Sequence, residues 1–315
     1  MTTVIAAADI GYGSVKAMLQ GKPPIHFASG AAPADKMPTL MNGTRDKPLK
    51  VGGADWYAGF EQDMTTHRRH SAGRFALSPD YHALFLETLH RLGKSSIDVL
   101  VLGLPSREFE SDVKDALKKA CAGDHDVRGR KVTVSKVLVA DQPLGTAALY
   151  FDANQKRLER ARLLTVDIGY GTTDQAVVVR GAVDRSLSMS LESAMGTVCA
   201  MAARELSNAS RRVTAALIDE HLRAGEKVMI IRGDDIDIAK AIAPHAEIVA
   251  GSIVQGVLGG LGTFSDLTEM VVTGGGALAL GGHIKKLTNG LPVTVMRDAV
   301  TANLRGFIAM GAAHG

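Results

Sequence analysis

The feature that most constrains this chain is a turn written twice, half the chain apart. The segment Ala6-Ala7-Ala8-Asp9-Ile10-Gly11-Tyr12-Gly13-Ser14 returns as Leu164-Thr165-Val166-Asp167-Ile168-Gly169-Tyr170-Gly171-Thr172, with the two aspartates 158 residues apart in a chain of 315. An internal repeat at half the length implies two domains of similar plan. In each copy an apolar run enters the loop and a second leaves it, Val15 to Leu19 and Ala176 to Val179, and Gly21 and Gly181 mark the next turns. Each copy therefore predicts a β-hairpin that opens a sheet.

Around this repeat the chain alternates strands and helices. Ser78-Pro79 has the form of an N-cap with proline at the first helical position, followed by Leu84, Phe85, Leu89 and Leu92 at helical spacing. Ile97 to Leu104 predicts a strand, Glu110 to Cys121 a helix, and Lys131 to Ala140 a strand delivering Asp141-Gln142-Pro143. A helix is expected over 145–162, another over 193–208, a third over 248–261, then strands over 270–273 and 292–296 and a final helix over 299–313. Such alternation points to an α/β layered fold. The predicted domains are 1–150, with a loop-rich insertion at about 25–75, and 151–315, with an insertion at about 211–245. The final helix is expected to pack back on the first domain.

Composition narrows the class. A hydrophobic share of 46% and a charged share of 22% describe a globular chain, and the 4% aromatic share means a core of Ala, Val, Leu and Ile. The apolar runs are shorter than a bilayer span and no apolar signal region opens the chain, so a cytoplasmic protein without membrane attachment is expected. Cys121 and Cys199 stand apart, without metal-ligand spacing, and read as buried thiols. The net charge of +3 is too small to predict direct nucleic-acid binding, and Arg68-Arg69 beside His67 and His70 read as a solvated loop.

The chemistry concentrates at the repeated loops. Glycine lets the main chain reach positive φ and approach an anion closely, so Gly11, Gly13, Gly169 and Gly171 are candidates for holding a polyphosphate on backbone N–H groups, with Tyr12 and Tyr170 between them. Ser14 and Thr172 or Thr173 offer hydroxyl donors, and Lys16 a point charge. No Gly-x-x-x-x-Gly-Lys-Ser/Thr occurs, and no Gly-x-Gly-x-x-Gly opens a helix after the first strand. Asp9 and Asp167 each end an apolar strand just before the glycines, where a carboxylate suits a hydrated Mg²⁺.

These segments resemble the actin, sugar kinase and heat-shock chaperone ATPase superfamily. Asp9 to Lys16 resembles its first phosphate motif, Val139 to Ala148 its first connecting motif, Leu164 to Asp174 its second phosphate motif, Val271 to Leu280 its adenosine motif and Asn303 to Gly311 its second connecting helix. The resemblance implies two related actin-like (ribonuclease H-like) domains, each a mixed sheet flanked by helices, with ATP or ADP and Mg²⁺ in a cleft between them and GTP as an alternative. It further implies that Asp9 and Asp167 organise the metal and that Gln142 positions the attacking water. The glycines Gly274, Gly275 and Gly276 would lie against adenine or ribose, with Glu192, Thr197 and Arg204 in the nucleoside pocket.

Within the superfamily, chain length and phrases such as Val51 to Tyr57 and Ser190 to Gly196 are similar to the ParM/StbA plasmid-segregation actins. That likeness implies an ATPase forming head-to-tail filaments, a DNA-bound adaptor as partner, and a role in plasmid DNA partition as a bacterial cytoskeleton. Gln142 departs from the glutamate common in ParM-like proteins and matches eukaryotic actin. A non-polymerising ATPase or small-molecule kinase of the same fold, or a pilus or division scaffold, is the alternative.

Overall fold

The computed structural model describes residues 3–39, 45–61, 64, 65, 67, 74–288 and 290–314. Arg68, Arg69 and His70 lie outside the described residues. The chain forms two compact units, Met1–Leu149 with Asn303–Gly315, and Tyr150–Ala302.

Unit 1 contains β1 (Ile5–Ile10), β2 (Ser14–Leu19), β3 (Ile25–Ala28), β4 (Gly30–Pro33), β5 (Leu49–Val51), β6 (Ala54–Phe60), α1 (Pro79–Leu92), β7 (Ser96–Leu104), α2 (Ser111–Cys121), β8 (Gly123–Val127) and β9 (Arg130–Asp141). It also contains most of α3 (Gln142–Ala153), which runs across the boundary into unit 2. Unit 2 continues with α4 (Gln155–Leu158), β10 (Arg162–Ile168), β11 (Thr173–Val179), β12 (Ala182–Leu191), α5 (Met195–Leu206), α6 (Ala215–Ala224), β13 (Val228–Ile231) and β14 (Asp234–Asp237). It ends with α7 (Ile238–Leu261), β15 (Glu269–Thr273), α8 (Ala277–Leu287) and β16 (Val293–Val295), before α9 (Ala302–Ala312) returns the chain to unit 1.

The repeat is visible in the sheets. Unit 1 orders its main sheet β3-β2-β1-β7-β9-β8 and unit 2 orders its own β12-β11-β10-β15-β16. In both, three consecutive antiparallel strands are followed by two strands parallel to the central one. Unit 1 adds β8 at its edge and a small sheet, β4-β6-β5, within the predicted insertion. The alternation of strand side chains then sorts the core. Ala6, Ala8 and Ile10 face a cluster with α1, whereas Ile5 and Ala7 face Leu304, Phe307 and Ile308 of α9. Asp9 has the parity of Ile5 and Ala7, so it points to the α9 side. Phe307 is fully buried there, and a side chain of that size contributes about 1.5–3 kcal/mol when taken from water.

The local signals explain several boundaries. Ser78 accepts from the Tyr81 N–H at 3.1 Å and Pro79 opens α1, as predicted. The expected helix over 145–162 is corrected to α3, starting at Gln142, and a short α4, because Asn154 leaves helical geometry (φ −136°, ψ 42°) and Arg162 already begins β10. The helix expected from Ile248 starts at Ile238 instead. Asp237 caps it through the Lys240 N–H at 3.0 Å, and Pro244 is carried inside the helix rather than ending it. α7 is long and apolar enough to cross a membrane, but it packs against α5, α8 and β12 and supplies Ile242, Val249, Ile253 and Val257 to the unit 2 core. The second hairpin is really three strands, since β12 pairs with β11.

Three hairpins turn on the same dipeptide. Arg128-Gly129, Arg180-Gly181 and Arg232-Gly233 all have positive φ at both residues (59° and 85°, 50° and 81°, 53° and 86°), which is the two-residue turn whose twist matches its flanking strands. At the first of these, Arg128 offsets its unfavourable backbone by reaching the buried Glu87 at 2.6 Å, beside the Arg91–Glu87 pair at 2.7 Å. Cys121 and Cys199 are buried free thiols, and burial pushes the pKa of each up to about 12.

Candidate functional site

In unit 1 the central strands end together. Asp9 pairs in register with Gly103 of β7 on one side and Lys16 of β2 on the other, while Leu104 pairs with Asp141 of β9. Gln142, the first residue of α3, therefore starts its helix beside the Asp9 carboxylate. Its Nε2 donates to Asp9 Oδ1 at 2.5 Å, and Lys16 Nζ lies 3.5 Å from Oδ2. The predicted trio Asp9, Lys16 and Gln142 is one contact group. Asp9 is buried, and a carboxylate there is tolerated because a cation and an amide face it. Gln142 retains a second amide N–H and its carbonyl oxygen as hydrogen-bonding capacity.

The loop of residues 11–13 is fastened from inside. Ser29, fully buried, donates its Oγ to the Tyr12 carbonyl at 2.5 Å and its N–H to the Gly13 carbonyl at 3.3 Å. A trans peptide points its N–H opposite to its C=O, so the Gly13 N–H is turned away from Ser29. The second loop has the same device with other parts. Met195 and Gly196, at the start of α5, donate to the carbonyls of Gly169 (3.1 Å) and Tyr170 (2.8 Å), which turns the Tyr170 and Gly171 N–H groups away from α5.

The expected reason for the glycines needs correction. Gly11, Gly13, Gly169 and Gly171 are not among the residues with positive φ. What Gly11 and Gly169 provide is closeness: a Cβ would sit 3.1 Å from the Ser14 carbonyl or 3.0 Å from that of Thr172, the acceptors of the Gly11 and Gly169 N–H groups. The hydroxyl expectations also change. Thr172 donates to Asp174 Oδ2 at 2.7 Å and Thr173 to the Ser193 carbonyl at 2.7 Å, so the single proton of each hydroxyl is directed within unit 2. The Tyr12 phenol accepts from Arg107 at 2.9 Å and its ring stacks on Phe75, and Tyr170 is half-buried against the unit 2 core, its pKa pushed up to about 12 by desolvation first and then by Asp219. Both tyrosine side chains are therefore engaged with their own unit.

Asp167 is the penultimate residue of β10, buried, in register with Thr273 of β15 and Asp174 of β11. Sequence reasoning missed Asp174 as a site residue. It occupies in unit 2 the register position that Lys16 holds in unit 1, and it accepts from the hydroxyls of Thr172 and Ser190. The signal was present in the alignment of the two repeats, seven residues after each aspartate. Asp167 and Asp174 are directly opposed across an antiparallel pair, close enough for like charges to repel. Such a pair suits a divalent cation with hard oxygen ligands, so the donor set fits Mg²⁺. Among the described residues no group of three or more His, Cys, Asp or Glu gathers as a metal cage.

The three glycines after β15 divide into two kinds. Gly274 has φ +89°, and a Cβ there would collide with Asp167 Oδ1 and the Ile168 carbonyl. Gly276 donates its N–H to that carbonyl at 2.9 Å, and a Cβ would meet Ile168 Cγ2 at 2.5 Å. Gly275 has open space where its side chain would be. Of the weaker candidates, Glu192, Thr197 and Arg204 are exposed, and Thr197 Oγ1 accepts from the Ala194 N–H at 3.5 Å and donates to the Glu192 carbonyl at 3.4 Å, as a helix cap. Elsewhere in unit 2 a cavity of about 500 Å³ lies near the C-terminal ends of α7 and α8, lined by Leu258, Phe264, Leu287 and Thr288 among others. None of the sequence-predicted residues lines it.

Comparison with known proteins agrees with this geometry. The family model described as the N-terminal domain of actin-like proteins matches residues 7–145, and the one described as the C-terminal domain of archaeal actin homologue, MreB-like, matches residues 165–286. The chain superposes on Ta0583, an archaeal actin homolog, with a TM-score of 0.78 at 20% identity, covering 99% of this chain and 100% of that one. For a subunit of a 15-stranded ParM filament from Clostridium botulinum the TM-score is 0.74 at 17% identity, with 99% and 100% covered. No curated protein matches the sequence. With both halves matched in order and one fold throughout, the chain belongs to the actin-like superfamily.

Proposed function

We propose that the chain is an ATPase whose two glycine loops hold the polyphosphate of one adenine nucleotide, and that nucleotide controls its assembly with other copies into filaments. One observation carries this reading: in both units the loop carbonyls are tied inward beside a buried aspartate, so the loop amides are presented as anion donors. Mg²⁺ would be held by Asp167 and Asp174, with Asp9 as the carboxylate of the other unit, and it would neutralise phosphate charge. Gln142 is fixed by its bond to Asp9, and its remaining amide groups orient a water for attack. Gly275 provides the stretch of backbone that lies against the nucleoside. The proposed plasmid-partition role and its DNA-bound adaptor rest on resemblance to ParM. Supporting the reading, a crystal structure of Ta0583 in complex with ADP superposes on this chain with a TM-score of 0.76.

The test is phosphate release from ATP and Mg²⁺ by the wild-type chain and by Asp167→Ala. Loss of turnover in the variant, with its fold retained by circular dichroism, is the expected result. Normal turnover would sink the metal assignment, and absence of turnover in the wild type would sink the ATPase reading.

A further inference from the structure

Both loop tyrosines are half-buried, each packed against the core of its own unit. The Tyr12 phenol is in addition held by two charged side chains. Tyr12 stands between two glycines, so it is the only residue of its loop tip with a side chain by which the loop can be held. Its phenol oxygen accepts from Arg107 Nη2 at 2.9 Å and donates to Glu108 Oε1 at 3.4 Å. Glu108 is buried and receives the Ala76 N–H at 3.0 Å, and the Tyr12 ring stacks on Phe75 at 4.6 Å between centroids. Arg107 itself is exposed, just after β7, at the strand end beside Asp9. Its guanidinium carbon lies 5.4 Å from the Tyr12 ring centre, near the outer limit of a cation–π contact, so the hydrogen bond is the principal link.

We propose that Arg107 is a positioning residue for phosphate binding, acting through the Tyr12 hydroxyl to fix the direction of the first loop's amides. The inference rests on the reading that this loop binds the nucleotide's phosphates. The loop tip is held from both sides: Ser29 fastens its carbonyls from the interior, and Phe75, Arg107 and Glu108 hold its one side chain. Loss of Arg107 leaves the fold intact, because Arg107 is on the surface, but removes the shorter of the two hydrogen bonds at the Tyr12 hydroxyl and so loosens the direction of the loop amides. Lysine at 107 keeps the charge but lacks the planar fork that addresses the phenol.

The experiment is a double-mutant cycle on Tyr12→Phe and Arg107→Ala, with Arg107→Lys as a third variant, reading ATP–Mg²⁺ affinity by calorimetry and the melting temperature without nucleotide. Arg107→Ala is expected to lose about tenfold in ATP affinity, the worth of one hydrogen bond with a charged donor, Tyr12→Phe at least as much, and the double variant no more than Tyr12→Phe alone. Arg107→Lys should remain weakened, and the melting temperature without nucleotide should not change. Wild-type affinity in Arg107→Ala, full recovery in Arg107→Lys, independent losses in the double variant, or affinity lost in step with melting temperature would each overturn the inference. Failure of the wild-type chain to bind ATP would instead overturn the nucleotide reading on which it rests.

Discussion

Adjacent glycines can serve opposite ends. Gly274 and Gly276 are required by the interior: one has φ +89° and presses on Asp167, the other packs on Ile168. Gly275 between them meets nothing in its own unit. Gly274→Ala should therefore destabilise the chain by about 3 kcal/mol or more, combining a left-handed backbone penalty with a steric clash at a buried carboxylate. Gly275→Ala should melt like the wild type but bind ATP less tightly, since only a ligand would meet the added methyl. Thermal melts and ATP titrations of the two variants check this. Equal stability for both would refute the division. The same contrast shows what a triplet of glycines hides: Gly-Gly-Gly is legible as a close approach, but which residue approaches what depends on the φ of each.

Between elements, the closest approach in unit 1 is where α9 crosses α3. A Cβ on Gly306 would collide with the Gly145 carbonyl, and one on Gly145 would meet the Asn303 carbonyl at 2.6 Å. Beside this contact Asn303 Oδ1 accepts from both the N–H and the hydroxyl of Thr146, at 3.0 and 2.6 Å. Substitution of Gly306 by Ala should force the helices apart and cost about 1–3 kcal/mol, measurable as a lower urea midpoint. An unchanged midpoint would mean that α9 is loosely seated. Elements announced by local chemistry were legible in the sequence, as with Ser78-Pro79 before α1 and the apolar β7. The start of α7 was not, because Pro244 reads as a terminator when the Asp237 cap before it is overlooked. β12 escaped because its residues are half-buried or exposed and lack the apolar alternation of β10. The glycine loops fall between strands as expected, but their carbonyl anchors, Ser29 and the start of α5, come from 16 to 26 residues further along and leave no local mark.

For the whole molecule, the matched sheet orders mean that one plan was used twice, with α9 returning to complete the first copy. If nucleotide governs assembly, light scattering should rise after addition of ATP and Mg²⁺ and stay flat for Asp167→Ala, with negative-stain images showing filaments. Scattering that is flat for the wild type well above micromolar concentration would count against filaments while leaving ATP turnover untouched. The two copies are not electrically equal, however. At one register position unit 1 has Lys16 facing Asp9, whereas unit 2 has Asp174 facing Asp167. The first pair carries no net charge and the second carries two negative charges if both are ionised. If the loops bind a nucleotide as proposed, a bare polyphosphate would be tolerated by the first loop and repelled by the second until a cation accompanies it. On the proposed function, a single position in a duplicated hairpin would make one half a receptor for the anion and the other a receptor for its counterion.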